Sequence, residues 1–495
     1  MKKTIIIRIL SGLLTAWALL SCSGTEQQTI QLQSEADLAG LRVATITGSC
    51  YDMELSDRKD ITLQRYNTDS DVLQSLLNGK ADVAVTDEVV YNSMVQKENG
   101  VKIALYGDQN FPTGFLFRKD EKALADTMSF ILSRMEKDGS LQQEKDFWLT
   151  DRFTEVDSYT HIPAETSGTP IRVAVCTMSA PVSFQVEGEW YGIEIDLLRE
   201  LGKELHRPLD FRIYDVGAGI LAVKTGVADV LCGCIFITPE REEEFLFSHF
   251  YHNYRPGYFV LDRDARAQNK LGWIQGFKKS VKKNLLAEKR WKFITDGLLE
   301  TIKISILAIL LGSILGVGLY VMGRSRHRWM RSFAQLYQGF IAGIPELVLL
   351  LILFYVVFSK TGLPADMVAV VDFAMFFASG ASDIYESSLS AIPHGQTEAG
   401  LALGFTPAQT FFHIVLPQAL RHGLPLYKGQ CVSILKGTSI VGYIAIQDLT
   451  RAGDIIRSRT FDAVIPLLVV TLVYFLLVWL IGVLLKLASP KEKVL

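Results

Sequence analysis

The rhythm of apolar and polar positions changes near residue 270. From Gln28 to about Arg263, short apolar runs of strand length alternate with amphipathic stretches of helical period, an alternation that predicts small α/β units. From Leu298 onward the apolar runs lengthen. "ISILAILLGSILGVGLYVM" (304–322) and "AVIPLLVVTLVYFLLVWLIGVLL" (463–485) carry no charge and are long enough to cross a bilayer. Three further runs, 340–359, 364–385 and 424–446, are interrupted by Pro, Gly or the charged Glu346, Asp372, Asp383, Lys428 and Lys436. An ionisable residue inside a span costs about 2.5 to 3.5 kcal/mol on insertion scales, so such helices should face a bundle interior or a cavity. The pattern predicts an exported α/β part followed by an all-α membrane domain of about five transmembrane helices; the alternative keeps the three weaker runs as surface loops or buried soluble helices.

The α/β part echoes itself. "GLRVATITGS" (40–49) parallels "PIRVAVCTMS" (170–179), and "LLNGKADVAVTD" (76–87) parallels "VKTGVADVLCG" (223–233). Each block reads as strand, helix, then a Gly turn into an "ADV" strand, the beginning of an open α/β lobe. Two such lobes facing each other make a ligand clamp that closes about a hinge.

Charge adds orientation rather than identity. With 50 Lys and Arg against 53 Asp and Glu, nothing global advertises nucleic acid. The chain opens "MKKTIIIRILSGLLTAWALLSCSG": basic Lys2, Lys3 and Arg8, an apolar stretch of signal length, then "LLSC", which resembles a lipobox with Cys22 as the lipidated residue. The other reading is an uncleaved signal anchor; either one exports the α/β part. Five spans then put "RSRHRWMR" (324–331), the segment from His394 to His422 and the tail "KEKVL" in the cytoplasm, and the first and last obey the positive-inside rule. The outer loop "TRAGDIIRSRT", with Arg451, Arg457 and Arg459, does not. Before the first span, "GFKKSVKKNLLAEKRWKFI" (276–294) reads as an interfacial helix resting Phe277, Val281, Leu285, Trp291 and Phe293 at headgroup level, or as a solvated linker.

The exported part resembles the solute-binding proteins of polar amino-acid ABC importers, through "LAGLRVATITGS", the helical "EKALADTMSFILSRMEKDGSLQQEKDFWL" (121–149) and "ITPER" (237–241). In that family the lobe with "IT-x-E-R" comes first; here it comes second. The resemblance implies one bilobed, type II-like domain in permuted order, residues 28–150 forming lobe 2 with its C-terminal helices and 170–265 forming lobe 1, joined through 151–169; two truncated binding domains are the alternative. It also implies roles. Arg241 would clamp an α-carboxylate, Ser49 with the amides around Gly48 would hydrogen-bond it, Thr238 would belong to the same site, and Asp87 would pair with an α-ammonium. Ser179 and Gly217 stand where the family puts aromatics, and Phe236 where a small hydroxyl is common. Of the cysteines, Cys50, Cys176 and Cys234 align with loops lining the cleft; disulfides, buried small hydrophobes and, with Cys232, a thiol cluster for a soft metal or sulfur ligand are all open readings.

Residues 398–417, "EAGLALGFTPAQTFFHIVLP", form a capped pair of short helices. Gly404 ends the first, Thr406 to Gln409 is a capping box with Pro407 at the first helical position, and Pro417 is read as the stop of the second. Ala399 and Gly400 permit close approach, Glu398 offers a charge, and Phe411 and Phe412 are too apolar to leave bare. This resembles the coupling motif of ABC importer permeases, and "AGIPELVLLLILFY", "SILKGTS" and "DLTRAG" extend the resemblance to the polar amino-acid permeases over about 298–485, with departures at Ala342, Gly400, Glu386 and Gly429-Gln430. No G-x-x-x-x-G-K-[ST] occurs. The resemblance therefore implies a permease of the inner membrane with an external binding domain and no cofactor or enzymatic activity of its own. Its partners would be a pair of ATPase subunits on 398–417, a second permease copy or paralogue, lipid, and a small-molecule substrate. A membrane-anchored receptor that senses a ligand without transporting it is the rival.

Overall fold

The structure is a computed structural model, and it describes residues 30–87, 100–149, 165–176, 180–262, 273–460 and 462–488. The signal segment with Cys22, Ser179 and the tail "KEKVL" lie outside them.

Two five-stranded sheets carry the α/β part. The first is ordered β2 (Thr62–Tyr66), β1 (Arg42–Ile46), β3 (Val83–Asp87), β14 (Pro256–Leu261), β4 (Val101–Tyr106); the second is β10 (Leu209–Ile213), β7 (Ile171–Val175), β11 (Val230–Cys232), β6 (Leu116–Arg118), β12 (Phe245–Phe247). In each, the first three strands are parallel and the last two run antiparallel. Val43, Ala44 and Thr45 of β1, and Val173, Ala174 and Val175 of β7, are buried on both faces, as parallel strands flanked by helices must be.

The sequence echo has a physical cause. In the first lobe the Arg42 amide and Nε both donate to Asp82 at 2.9 Å, tying the entry of β1 to the "ADV" that opens β3. In the second, Arg172 does the same to Asp229, its amide donating at 2.9 Å. The Arg of "RVA" and the Asp of "ADV" are thus one clasp used twice, fixing the register of the central strand pair.

Two strands cross the division drawn at 151–169. β6, from the N-terminal half, lies in the second sheet, and β14, from the C-terminal half, lies in the first. Where the chain crosses, β5 (Phe111–Thr113) and β13 (His252–Tyr254) pair antiparallel as a hinge ribbon, with Thr113 facing His252. Truncated, independent domains would not exchange strands, so the α/β part is one bilobed domain. Helices α1 (Cys50–Ser56) and α2 (Asp69–Leu77) belong to the first lobe. Helices α3 (Lys122–Asp138), α4 (Ser140–Trp148), α5 (Ile193–Leu205), α6 (Val216–Lys224) and α7 (Pro239–Glu244) serve the second, where Trp148 is buried and its Nε1 donates to Asp196 at 2.9 Å.

The predicted interfacial helix is broken. It runs as α8 (Trp273–Val281), a wide turn over Lys282–Leu286 and a short tight turn before α9 (Trp291–Gly323). Asn284 is buried and donates to Asp462 at 2.8 Å while accepting from Thr460 at 2.6 Å, which explains why the chain turns in here instead of continuing along the headgroups.

Among the described residues three helices are long and apolar enough to cross a membrane, α9, α12 (Ala365–Ser390) and α17 (Val464–Ala488), and two bent pairs raise the number to as many as five. The run expected at 340–359 is not one helix. α10 (Arg328–Gly343) and α11 (Glu346–Ile352), which continues to Val357, meet at 107° across Ile344-Pro345. Proline removes a helical hydrogen bond and disfavours helical backbone at the residue before it, so "GIP" is the break. The run expected at 424–446 begins earlier. It includes α14 (Pro407–Thr410) and α15 (Leu416–Gly437), preceded by α13 (His394–Ala402), and joins α16 (Leu449–Thr460) at 52°. α9 and α12 cross closely because a Cβ on Gly312 would lie 2.8 Å from the Ala374 carbonyl oxygen, and one on Gly316 3.0 Å from that of Ala378.

Candidate functional site

Between the lobes lies a cavity of about 50 Å³ lined by Gly48, Ser49, Tyr51, Asp69, Asp87, Cys234, Phe236 and Arg241 among others. Small-molecule pockets run to about 300 Å³ or more, so the clamp is shut. Arg241 shuts it: its guanidinium donates to the Gly48 carbonyl of the first lobe at 2.8 Å and to the Phe236 carbonyl of its own at 3.0 Å. Burial pulls the Arg241 pKa down from its ordinary value. Asp87 accepts the Tyr51 hydroxyl. Arg241 of the second lobe therefore shares this small cavity with two acids of the first, Asp69 and Asp87.

Ser49 caps α1, accepting the Asp52 amide at 3.1 Å, and Gly48 takes φ +73°, a turn conformation that glycine adopts without strain. Thr238 lies outside the cavity lining and caps α7, accepting the Arg241 amide. Its place is to hold the helix turn that carries Arg241. Two aromatics other than those expected at Ser179 and Gly217 line the cavity, Tyr51 and Phe236, and with Phe111 they meet edge-on at centroid distances of 5.5 to 5.7 Å. Tyr51 and Asp69 were missed, although both sit at the starts of helices following the first two strands, where open α/β lobes present ligand groups.

Four of the described cysteines are buried and Cys176 is half-buried. Cys50, Cys176, Cys232, Cys234 and Cys431 are free thiols, which removes the disulfide reading. Cys50 is the first residue of α1 and packs in the core, not on a cleft loop. Burial pushes the thiols of Cys50, Cys176, Cys232 and Cys234 well up, so they are protonated. Among the described residues no group of three or more His, Cys, Asp or Glu is placed to hold a metal ion.

Beside the first cavity a second, of about 60 Å³, is lined by Asp69, Cys176 and Asp215 from the lobes and by Arg451, Asp454, Ile455 and Ser458 from α16. Helix α16 lies across the cleft and holds both lobes. Arg457 pairs with Asp71 in the first turn of α2 at 2.5 Å, and the Ser70 hydroxyl donates to the Arg457 carbonyl at 3.1 Å. Arg451 pairs with Asp215, the N-cap position of α6, at 3.0 Å. α2 and α6 are equivalent helices of the two lobes, so α16 grips the same structural feature twice. The third arginine, Arg459, pairs with Glu288 of the broken elbow at 2.5 Å. The three positive charges that broke the orientation rule are all spent on contacts with the exported part and its elbow.

At the far end of the same bent helix lies the segment 398–417. Gly404 takes φ +86° after α13, and Thr406 and Gln409 form the reciprocal capping box, the Thr406 amide donating to Gln409 Oε1 at 2.9 Å. Gly400 is buried, and a Cβ there would come within 2.6 Å of Thr410 Cγ2. Glu398 and Ala399 are exposed. Leu403, Phe411 and Phe412 are exposed too, Phe412 at 62%, so an apolar face is bare. Pro417 does not stop the helix as expected. A wide turn over Phe411–Val415 precedes it, and the chain runs on as α15. Wide turns of this kind loosen the hydrogen-bond ladder and let a ring pass.

The family pattern described as "Binding-protein-dependent transport system inner membrane component" matches residues 308–494, and that of "Bacterial extracellular solute-binding proteins, family 3" matches 171–399. The L-cystine transport system permease protein TcyB of Bacillus subtilis is 32% identical over 202 residues, 40% of this chain and 86% of the relative. The chain belongs to the family of binding-protein-dependent inner-membrane transport components. A putative glutamine transport system permease protein GlnP of Rickettsia felis is 27% identical over 201 residues, 40% of this chain and 92% of the relative. A solved structure titled "Crystal structure of an amino acid ABC transporter with histidines" is similar at 27% identity, covering 44% of this chain and 98% of that one with a TM-score of 0.38.

This permease carries its own solute-binding domain. It is a fused importer subunit, not an enzyme, a multi-pass protein of the inner membrane with the binding domain on the periplasmic side, and it works with a separate ATPase subunit. The receptor reading is not favoured.

Proposed function

We propose that this importer takes a polar amino acid or a similar small zwitterion, with Arg241 clamping its α-carboxylate and Asp87 its α-ammonium once the lobes part. The observation that carries this is the sharing of one interlobe cavity by a half-buried guanidinium and a buried carboxylate. In the shut cleft Arg241 spends its donors on the Gly48 carbonyl, the position a ligand carboxylate would take over. The amino-acid names of the relatives support the class. The permuted lobe order fits the strand exchange through β6 and β14.

In the same reading, 398–417 receives the ATPases through Glu398, Leu403, Phe411 and Phe412, two permease copies face a pair of ATPases, and Cys22 is lipidated. Cys234 shapes the pocket, and Cys176 the cavity beside it, as neutral thiols. Titrating the full chain in lipid nanodiscs with a panel of amino acids tests the pocket. Saturable binding that disappears in both Arg241→Ala and Asp87→Asn is expected; binding that survives both changes refutes the assignment.

A further inference from the structure

The two cavities between the lobes share a wall. Ile46, Asp69 and Val216 line both, so the space of about 50 Å³ at Arg241 and the space of about 60 Å³ at α16 meet across three side chains. The first is lined by the lobes alone, whereas the second is closed off by Arg451, Asp454, Ile455 and Ser458 of the permease. Most of its charge is already matched: Arg451 pairs with Asp215 and Arg457 with Asp454, each at 3.0 Å. Two groups are left over. Asp69 accepts the Thr86 hydroxyl at 2.7 Å through Oδ1 alone among the described residues, and burial raises its pKa. Arg451 Nε is buried and has no hydrogen-bond partner among the described residues. A buried donor without an acceptor is costly, and an arginine placed in a cavity wall with its Nε unmet fits a site that a ligand completes. One water needs about 10 to 15 Å³, so the second cavity admits roughly four to six heavy atoms, the end of a side chain rather than a whole solute.

We propose that the two cavities are the two ends of one solute site and that α16 of the permease forms its far wall, where a solute side chain ending in a carboxamide meets Arg451 and Ser458. This rests on the amino-acid reading of the cleft given above, with the α-carboxylate at Arg241 and the α-ammonium at Asp87. Past Asp69 the side chain enters the second cavity, its carbonyl accepting from Arg451 Nε and its amide donating to Asp69. A carboxylate end would stand against Asp69, Asp215 and Asp454. An ammonium end has no acceptor to offer and would leave Arg451 Nε unmet. The permease thereby takes part in choosing the solute while the binding domain is docked on it, through a helix that the binding domain does not contain.

The test is equilibrium titration of the full chain in nanodiscs with L-glutamine, L-alanine, L-glutamate and L-lysine. L-Glutamine should bind at least tenfold more tightly than each of the other three. Ser458→Leu, whose longer side chain occupies the far cavity, should cut the preference for L-glutamine over L-alanine at least tenfold, because the alanine methyl does not reach past Asp69. Arg451→Lys keeps a cation for Asp215 but lacks the Nε donor, and should cut the same preference. The ratio of the two dissociation constants is the readout: a variant that merely loosens docking weakens both solutes alike and leaves the ratio where it was. Should Ser458→Leu fail to fold, Arg451→Lys decides. An unchanged ratio in either folded variant, or a wild type that binds L-alanine, L-glutamate or L-lysine as tightly as L-glutamine, overturns the proposal and leaves the cleft assignment standing. A wild type that binds none of the four refutes the cleft assignment, and this subsite with it.

Discussion

Truncating Arg451 or Arg457 to alanine should loosen one lobe each from the permease. The side chains of the two pairs are 13% and 28% exposed for Arg451–Asp215, and 19% and 24% for Arg457–Asp71. Exposed pairs contribute about 0 to 1 kcal/mol and breaking a fully buried one costs about 3 to 5, so each of these should be worth roughly 1.5 to 2 kcal/mol. That is about a ten- to thirtyfold shift in the docked population per arginine, and roughly a hundred- to sevenhundredfold for the double variant if the two contributions add. The hydroxyl of Ser70 still reaches the backbone carbonyl of residue 457 in the variant, so the first lobe should retain part of its hold. Amide hydrogen exchange of the full chain in nanodiscs reads the effect directly, because α2 and α6 are the segments uncovered. Exchange should speed up in α2 for Arg457→Ala and in α6 for Arg451→Ala. It should stay at wild-type rates in both for Arg172→Ala, which breaks a pair within one lobe. A double variant that melts normally yet shows wild-type exchange in α2 and α6 would refute the claim that α16 holds the lobes.

Burial pushes Glu194 up to about 7 from an ordinary 4.5, against hydrogen bonds from Tyr251 and the Gly233 and Cys234 amides. A raised carboxyl pKa means that the folded state holds the proton more tightly. The associated stability is present below about 4.5 and lost as pH rises to about 7, at most about 3 kcal/mol for 2.5 pKa units. Glu194→Gln should therefore flatten the fall in melting temperature between pH 5 and 8; parallel profiles for variant and wild type would contradict it. In the proposed handle, Gly400→Leu should force α13 off Thr410, at about 1 to 3 kcal/mol of overpacking, and abolish ATPase association in a pull-down with the cognate subunit. Phe412→Ala should leave melting unchanged and weaken that association about tenfold, as loss of an exposed aromatic anchor does. Tyr51→Phe should free Asp87 of its hydroxyl partner and change amino-acid affinity in the cleft, whereas the same change with unaltered titrations would remove Asp87 from the site.

Much of this architecture was legible in the residues, and the failures are instructive. The repeated "RVA" and "ADV" revealed two like lobes because the Arg–Asp clasp needs those residues at those places. The capping box at Thr406 was readable because capping is local. The strand exchange was not, since which sheet a three-residue strand such as β6 joins depends on partners far away in sequence. Pro417 was misread because the proline rule assumes a regular ladder, and the wide turn before it removes that premise. The span at 340–359 failed for the opposite reason: the break at Pro345 was visible, but hydropathy alone bridged it. In the cleft, Arg241 and Asp87 came from motif resemblance, while Tyr51 and the docking arginines had no motif to announce them.

The arginines did leave a trace, as an exception to the charge rule, and that exception links the two ends of the permease. Residues Pro407–Ile444 and Leu449–Thr460 form one bent element. Its cytoplasmic start is the proposed ATPase handle, and its outer end is α16, where Arg451 and Arg457 stand six residues, about 9 Å, apart with one lobe on each. For the lobes to part and release a solute, at least one of these clamps must yield or α16 must move, since a single helix cannot lengthen to follow both. In the proposed reading, movement of the handle would pass along α15 to the 52° bend and tilt α16, changing the reach of one arginine relative to the other. ATPase closure and lobe opening would then strain the same bent element. The bend around Ala445 to Asp448 is then where stiffness matters: Asp448 is buried, its oxygens accept the Thr450 and Arg451 amides at 3.0 Å, and it fixes the angle at which α16 leaves.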